Sequence, residues 1–267
     1  MTHADDRSVD LEVEVPGTPE EIWEAIATGP GLSIWFVPAE IEEREGGTIS
    51  MHHGEGMDDD GTVTAYERPR RFAFQSAPFS PREGVEPRVT ALELLVEARA
   101  GGTCVVRLVN SGFGAGPEWD DQVESTHEGW RRCLRVLQLY LTHFAGQRGT
   151  QFVAFGALPA PRDAAWAELL AAVGADPSAR RTAARLDGAP ALAGSVDGAE
   201  GTVMTLLLDE PAPGIAVLTA GGPGDPSYVV VSATLFGDAG AAAAAQAAPA
   251  WQAGVAARFP LQPAGGS

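Results

Sequence analysis

Near residue 117 the hydrophobic pattern changes period, and that change leaves few ways to fold. Upstream, six short segments carry the marks of strands: residues 39–43, 48–52, 61–67, 71–76, 89–98 and 103–110. Turn sequences separate them, among them EGG (45–47), DDDG (58–61), ERPR (67–70) and RAGG (99–102). Downstream, in STHEGWRRCLRVLQLYLTHF (125–144), Trp130, Cys133, Leu134, Leu137, Tyr140, Leu141 and Phe144 recur at helical spacing and form one wide apolar stripe. Ahead of the six segments, VDLEVEV (9–15) alternates apolar and polar residues, as a strand with one buried face does. A shorter helix follows it. Thr18 can cap that helix, Pro19 suits the first helical position, and Glu20 and Glu21 suit the positive end of its dipole. Ile22, Trp23 and Ile26 make its apolar stripe, and GPG (29–31) is expected to stop it. The predicted order is strand, helix, six antiparallel strands, then a long helix over about 117–144. That is an α+β chain in which a curved antiparallel sheet wraps around its last helix.

One residue in the long helix needs a reason. Gly129 stands beside Trp130, the largest side chain of the stripe, and glycine costs about 1 kcal/mol against alanine inside a helix. Either another backbone comes close there, or the helix floors an open space.

Composition narrows the function classes. The formal net charge is −18, and every basic residue is arginine. So acidic a chain lacks the basic footprint that nucleic acid or an anionic membrane surface requires. No apolar run reaches the length of a membrane span. The first ten residues, MTHADDRSVD, have no apolar centre and do not read as a secretory signal, so a cytoplasmic setting is expected. Cys104 and Cys133 have no metal-ligand spacing and read as reduced core residues.

The second half reads as a shortened copy of the first. GTVTAYERPRRFAF (61–74) lines up with GTVMTLLLDEPAPGIAV (201–217), TPEEIW (18–23) with APRDAAW (160–166), and Trp130 with Trp251. The copy keeps its first part and drops about 19 residues from its sheet. Net charge also shifts near residue 150, from −13 over 1–150 to −5 over 151–267. The expected domains are 1–147 and 148–267, joined through AGQRGT (145–150).

Taken in order, VPGTPEEIWEAIATGPGLSIWF, EGGTI, GTVTAYERPRRFAF, VTALELLVEARAGGTCVVRLVNSGF and HEGWRRCLRVLQLYL resemble a prokaryotic relative of the heat-shock protein 90 ATPase activator homologue family. That family lies in the START-like, or SRPBCC, helix-grip superfamily. The resemblance covers about residues 8–145. The rest joins only through the internal repeat, since it lacks the WF and H-x-G-W sequences. The resemblance implies a helix-grip fold, with a cavity between sheet and long helix, in tandem with a degenerate second START-like domain. Its namesakes stimulate a chaperone ATPase, whereas related proteins bind lipids, hormones and polyketides, and some cyclise or aromatise them.

The expected function is therefore binding of a small hydrophobic ligand in that cavity, without defined catalysis and without a cofactor. A chaperone-cofactor or protein-interaction role is one alternative, and a polyketide cyclase/aromatase-like enzyme is another. Trp35 and Phe36 are expected at the mouth of the pocket. Trp130, Leu134 and Leu137 would form its floor. Met51, Phe74 and Phe79 would contribute from the sheet and its loops. Trp119 belongs to GFGAGPEW (112–119), which reads as a lid. His127 lies three residues before Trp130 and so near its face; it is the one weak candidate for acid/base work. His52 and His53 are neighbours on a strand and point opposite ways, so they do not suggest a metal site.

Overall fold

A computed structural model describes residues 7–53, 58–222 and 227–261. Residues 1–6 of MTHADDRSVD, the stretch that does not read as a secretory signal, lie outside the described residues, as does GEGM (54–57). The chain divides into two compact units, Met1–Gly146 and Gln147–Ser267.

The first unit runs β1 (Arg7–Pro16), α1 (Pro19–Ile26), α2 (Gly29–Trp35), β2 (Ala39–Ile41), β3 (Thr48–His52), β4 (Asp58–Glu67), β5 (Arg71–Ser76), β6 (Ala91–Arg99), β7 (Thr103–Phe113), a 3-10 turn (Pro117–Trp119) and α3 (Asp120–His143). Its seven strands lie in the order β1-β7-β6-β5-β4-β3-β2, with the first strand beside the last, and all pairs are antiparallel. The expected α+β helix-grip architecture is what the chain forms.

Local chemistry explains the elements. Thr18 and Glu21 form a reciprocal capping box at the start of α1. GPG does not end the helical region, as the sequence suggested; it opens α2. Thr28 caps this second helix, its hydroxyl accepting from the Gly31 amide at 3.1 Å. Glycine fits there for a reason of space. A Cβ on Gly31 would stand 2.0 Å from the Glu24 carbonyl oxygen, so the two short helices meet backbone to backbone. The close approach first considered for Gly129 occurs at Gly31 instead.

DDDG also differs from expectation. It is not a turn but the start of β4, where Asp58 pairs with His52 and Asp60 with Ser50 across the ladder. Cross-strand partners hold these acidic residues in extended backbone.

Alternation decides which residues face α3. On β7 the inward positions are Cys104, Val106, Leu108 and Asn110, all buried. One cross-strand row of this inner face joins Val63, Phe74, Leu92, Asn110 and Val9. The stripe of α3 closes onto the face through Trp130, Leu134, Leu137 and Leu141, all buried.

The second unit runs β8 (Gly149–Leu158), α4 (Arg162–Val173), β9 (Arg181–Ala184), β10 (Leu192–Glu200), β11 (Val203–Glu210), β12 (Gly214–Gly221), β13 (Ser227–Phe236) and α5 (Gly237–Arg258). Its sheet order, β8-β13-β12-β11-β10-β9, repeats the first with one strand fewer and no counterpart of α2. Strand direction corrects the register of the repeat. Counted from the first strand of each sheet, β11 and β12 occupy the places of β5 and β6, whereas residues 61–74 form β4 and β5. The sequence match reflects a shared hairpin chemistry, each turning through a proline (Pro69, Pro211), and not a shared place.

The described core of this unit is rich in small and aliphatic residues. Alanines 244 and 247 of α5 are buried against the sheet, and β12 is buried at every position. Beyond the end of α5, the carbonyl oxygen of Phe259 accepts from the Ala157 amide at 3.1 Å. A Cβ on Gly156 would meet that oxygen at 2.5 Å. Trp251 is fully buried, its indole donating to the Pro190 carbonyl at 2.9 Å.

Candidate functional site

The ends of α2 and β3 bring an aromatic cluster against α3. The Trp35 indole donates to the Ala25 carbonyl at 2.9 Å, which fixes that ring where α1 and α2 meet. Phe36, the next residue, lies 4.6 Å from Trp130 between ring centroids, at a tilt of 33°. Trp35 lies 6.5 Å from Trp130. His53 sets its ring edge-on to Phe36 at 5.8 Å. These separations are those of attractive aromatic pairs.

Trp130 is tied to the sheet as well. Its indole N–H donates to Asn110 Oδ1 at 3.0 Å, and Asn110 Nδ2 donates to the Ala91 carbonyl at 3.0 Å. A buried amide of this kind stays only where it is hydrogen-bonded. Neither Asn110 nor His53 is among the pocket residues expected from the sequence. The signal was there for Asn110: a polar residue at an inward step of an otherwise apolar alternation.

Gly129 meets nothing within 4 Å where a Cβ would stand. No other backbone comes close to Gly129.

The other candidate residues fall into distinct surroundings. Met51, Phe74, Leu134 and Leu137 are buried in the layer between sheet and helix. Phe79 is 43% exposed and meets Trp119 edge-on at 6.3 Å. Trp119 is itself buried, 6.3 Å from Phe113 and close over Gly114, so the glycine-rich segment is a packed turn anchored by its tryptophan.

His127 does not share the buried face of Trp130; its side chain is exposed. A step of three residues turns 60° around a helix, enough to carry it to the edge of the stripe. There it lines a groove of about 570 Å³ between β1 and the first half of α3. Val9 and Val123 form apolar wall, and Arg7, Asp10, Asp120 and Glu124 form a charged rim. Arg7 and Asp120 bridge that rim at 2.5 Å. Val9 is the direct cross-strand partner of Asn110, so the groove ends one strand away from the buried amide.

Titration follows these surroundings. The hydrogen bond to Asp58 at 2.9 Å raises the His52 pKa above the ordinary histidine value. Burial lowers that of His53, against the opposing pull of Asp59 and Asp58. Burial also pushes the Cys133 thiol up to about 11 and raises that of Cys104. Both cysteines are free and stay protonated at neutral pH. Among the described residues, no three His, Cys, Asp or Glu side chains are grouped to hold a metal ion. No described helix is long and apolar enough to cross a membrane.

Comparison with known proteins adds the following. A protein of Mesorhizobium loti is similar in structure, at 18% identity and a TM-score of 0.47, over 52% of this chain and 98% of its own. The Aha1 dimer of Colwellia psychrerythraea is similar at 21% identity and a TM-score of 0.42, over 52% of this chain and 99% of its own. BexL, a di-domain ARO/CYC protein of the BE-7585A biosynthetic pathway, is similar over 96% of this chain and 100% of its own, at 16% identity and a TM-score of 0.44. No curated protein matches the sequence. Residues 16–142 match the family model described as Activator of Hsp90 ATPase homolog 1-like protein. That match lies wholly within the first unit.

Proposed function

We propose that the first unit binds a small hydrophobic ligand between its sheet and α3, and that catalysis is not its task. The observation that carries this reading is the groove of about 570 Å³ between β1 and α3, whose volume suits a small molecule. Its inner wall, Val9, adjoins Asn110, the partner of Trp130. Trp130 in turn meets Phe36 and Trp35, which supply flat apolar surface. The ligand contacts of the proposal are Val9, which lines the groove, and Phe36 and Trp130, which lie outside its lining, with Met51, Phe74, Leu134 and Leu137 as the packed layer behind them. His127 stands at the exposed rim, where it can meet a polar end of a ligand.

The second unit, in this reading, is a degenerate START-like copy that holds no ligand, because α5 is seated directly on its sheet. A cytoplasmic setting belongs to the same proposal and accords with two free cysteines.

A second reading rests on the family match: a chaperone-cofactor or other protein-interaction role for residues 16–142. A cyclase/aromatase-like reading would need polar groups converging on the aromatic cluster. The exposure of His127 gives it less support.

Native mass spectrometry of protein purified from cells tests the proposal. A discrete extra mass, lost on denaturation, is the expected result. A clean unliganded mass, with no hit in a screen of hydrophobic compounds, would overturn the proposal in favour of the interaction role.

A further inference from the structure

Asn110 is the one polar side chain buried on the inner face of the first sheet among the described residues; it is 9% exposed. A primary amide offers two donor hydrogens and two acceptor lone pairs. One acceptor site of Asn110 takes the Trp130 indole hydrogen, and one donor hydrogen goes to the Ala91 carbonyl. One donor and one acceptor remain, on a group whose neighbours in its cross-strand row, Leu92 and Val9, are apolar and cannot use them. Buried polar groups cost free energy wherever their hydrogen bonds are incomplete. The chemistry that completes this amide is a group that both donates and accepts, and a hydroxyl is the smallest one. The surrounding surface is aromatic, with Phe36 and Trp35 around Trp130, and favours a flat ring.

We propose that Asn110 is a specificity-determining residue that selects a flat aromatic ligand carrying a hydroxyl group. This rests on the ligand-binding reading given above. Trp130 supplies ring surface, and the bond to the Ala91 carbonyl keeps the Asn110 carboxamide oriented. The free half of the amide reads the hydroxyl.

The test uses the full chain and two probes of the same shape, 2-naphthol and 2-methylnaphthalene, with affinities measured by equilibrium dialysis. Wild-type protein is expected to prefer 2-naphthol about five- to tenfold, the worth of one neutral hydrogen bond. Asn110→Leu should erase that preference while keeping affinity for 2-methylnaphthalene. Trp130→Phe removes the indole donor but leaves the amide, so the hydroxyl preference should survive in it even if both affinities fall. The second variant also decides the matter if Asn110→Leu does not fold. Equal binding of the two probes to wild-type protein, or a preference lost in Trp130→Phe, would overturn the role of Asn110 and leave the ligand reading standing. Binding of neither probe to wild-type protein would overturn both.

Discussion

Gly31 and Gly129 lie on two helices of one unit and answer opposite demands. The Gly31 position has no room, because a Cβ there would stand 2.0 Å from the Glu24 carbonyl oxygen. Gly31→Ala is expected to destabilise the protein by about 1–3 kcal/mol, the usual cost of overpacking, as read by denaturant unfolding. Gly129 has nothing within 4 Å, so Gly129→Ala should gain up to about 1 kcal/mol of helix propensity in the same assay. A loss on Gly129→Ala would show that the space beside Trp130 is needed by something else. The two neighbouring histidines provide a check on local electrostatics. By NMR, His52 should titrate above, and His53 below, the ordinary histidine value. Asp58→Asn should bring His52 back down. The His52–Asp58 contact is fully present below the unfolded-state pKa and is lost as pH rises through the raised one. Both partners are exposed, so the expected change is in the titration and hardly in stability.

At the scale of elements, α3 decides whether the sheet has anything to grip. Trp130→Ala removes a ring packed on Phe36 and orphans the carboxamide oxygen of Asn110, and should cost about 3–5 kcal/mol in equilibrium unfolding. A loss below about 1 kcal/mol would place that ring on open surface. Elements bounded by strong local chemistry were legible in the sequence. Strands β3 and β5 fall where alternation puts them, and α1 starts where Thr18 and Glu21 form their capping box. Helix α2 was not legible, because Gly-Pro-Gly is ordinary stop chemistry and only its tertiary fit on α1 makes it a start. The register of the repeat was misread for a related reason. Two hairpins with a proline turn look alike in sequence, while strand direction is a property of the whole sheet. Among the candidate residues, the rings of Trp35, Phe36 and Trp130 come together. His127 leaves them, since a stripe edge cannot be told from a stripe centre at a single step of three.

For the whole molecule, two sheets of one topology have diverged inside. The first keeps aromatic residues and one half-used amide under its long helix. The second fills that layer with alanine, Trp251 and Phe259. Since each unit has its own core, a chain ending at residue 147 should stay monodisperse and unfold in a single cooperative transition. Aggregation of that fragment would mean that the units share a core. The most direct test of ligand binding by the first unit is an NMR spectrum of the indole N–H groups, recorded on the full chain during titration with 2-naphthol. Each of the six tryptophans contributes one signal, and substitution assigns them. The Trp130 and Trp35 signals should move together while Trp251, enclosed in the second unit and bonded to Pro190, stays fixed. A spectrum in which Trp251 moves and Trp130 does not would contradict a ligand site in the first unit.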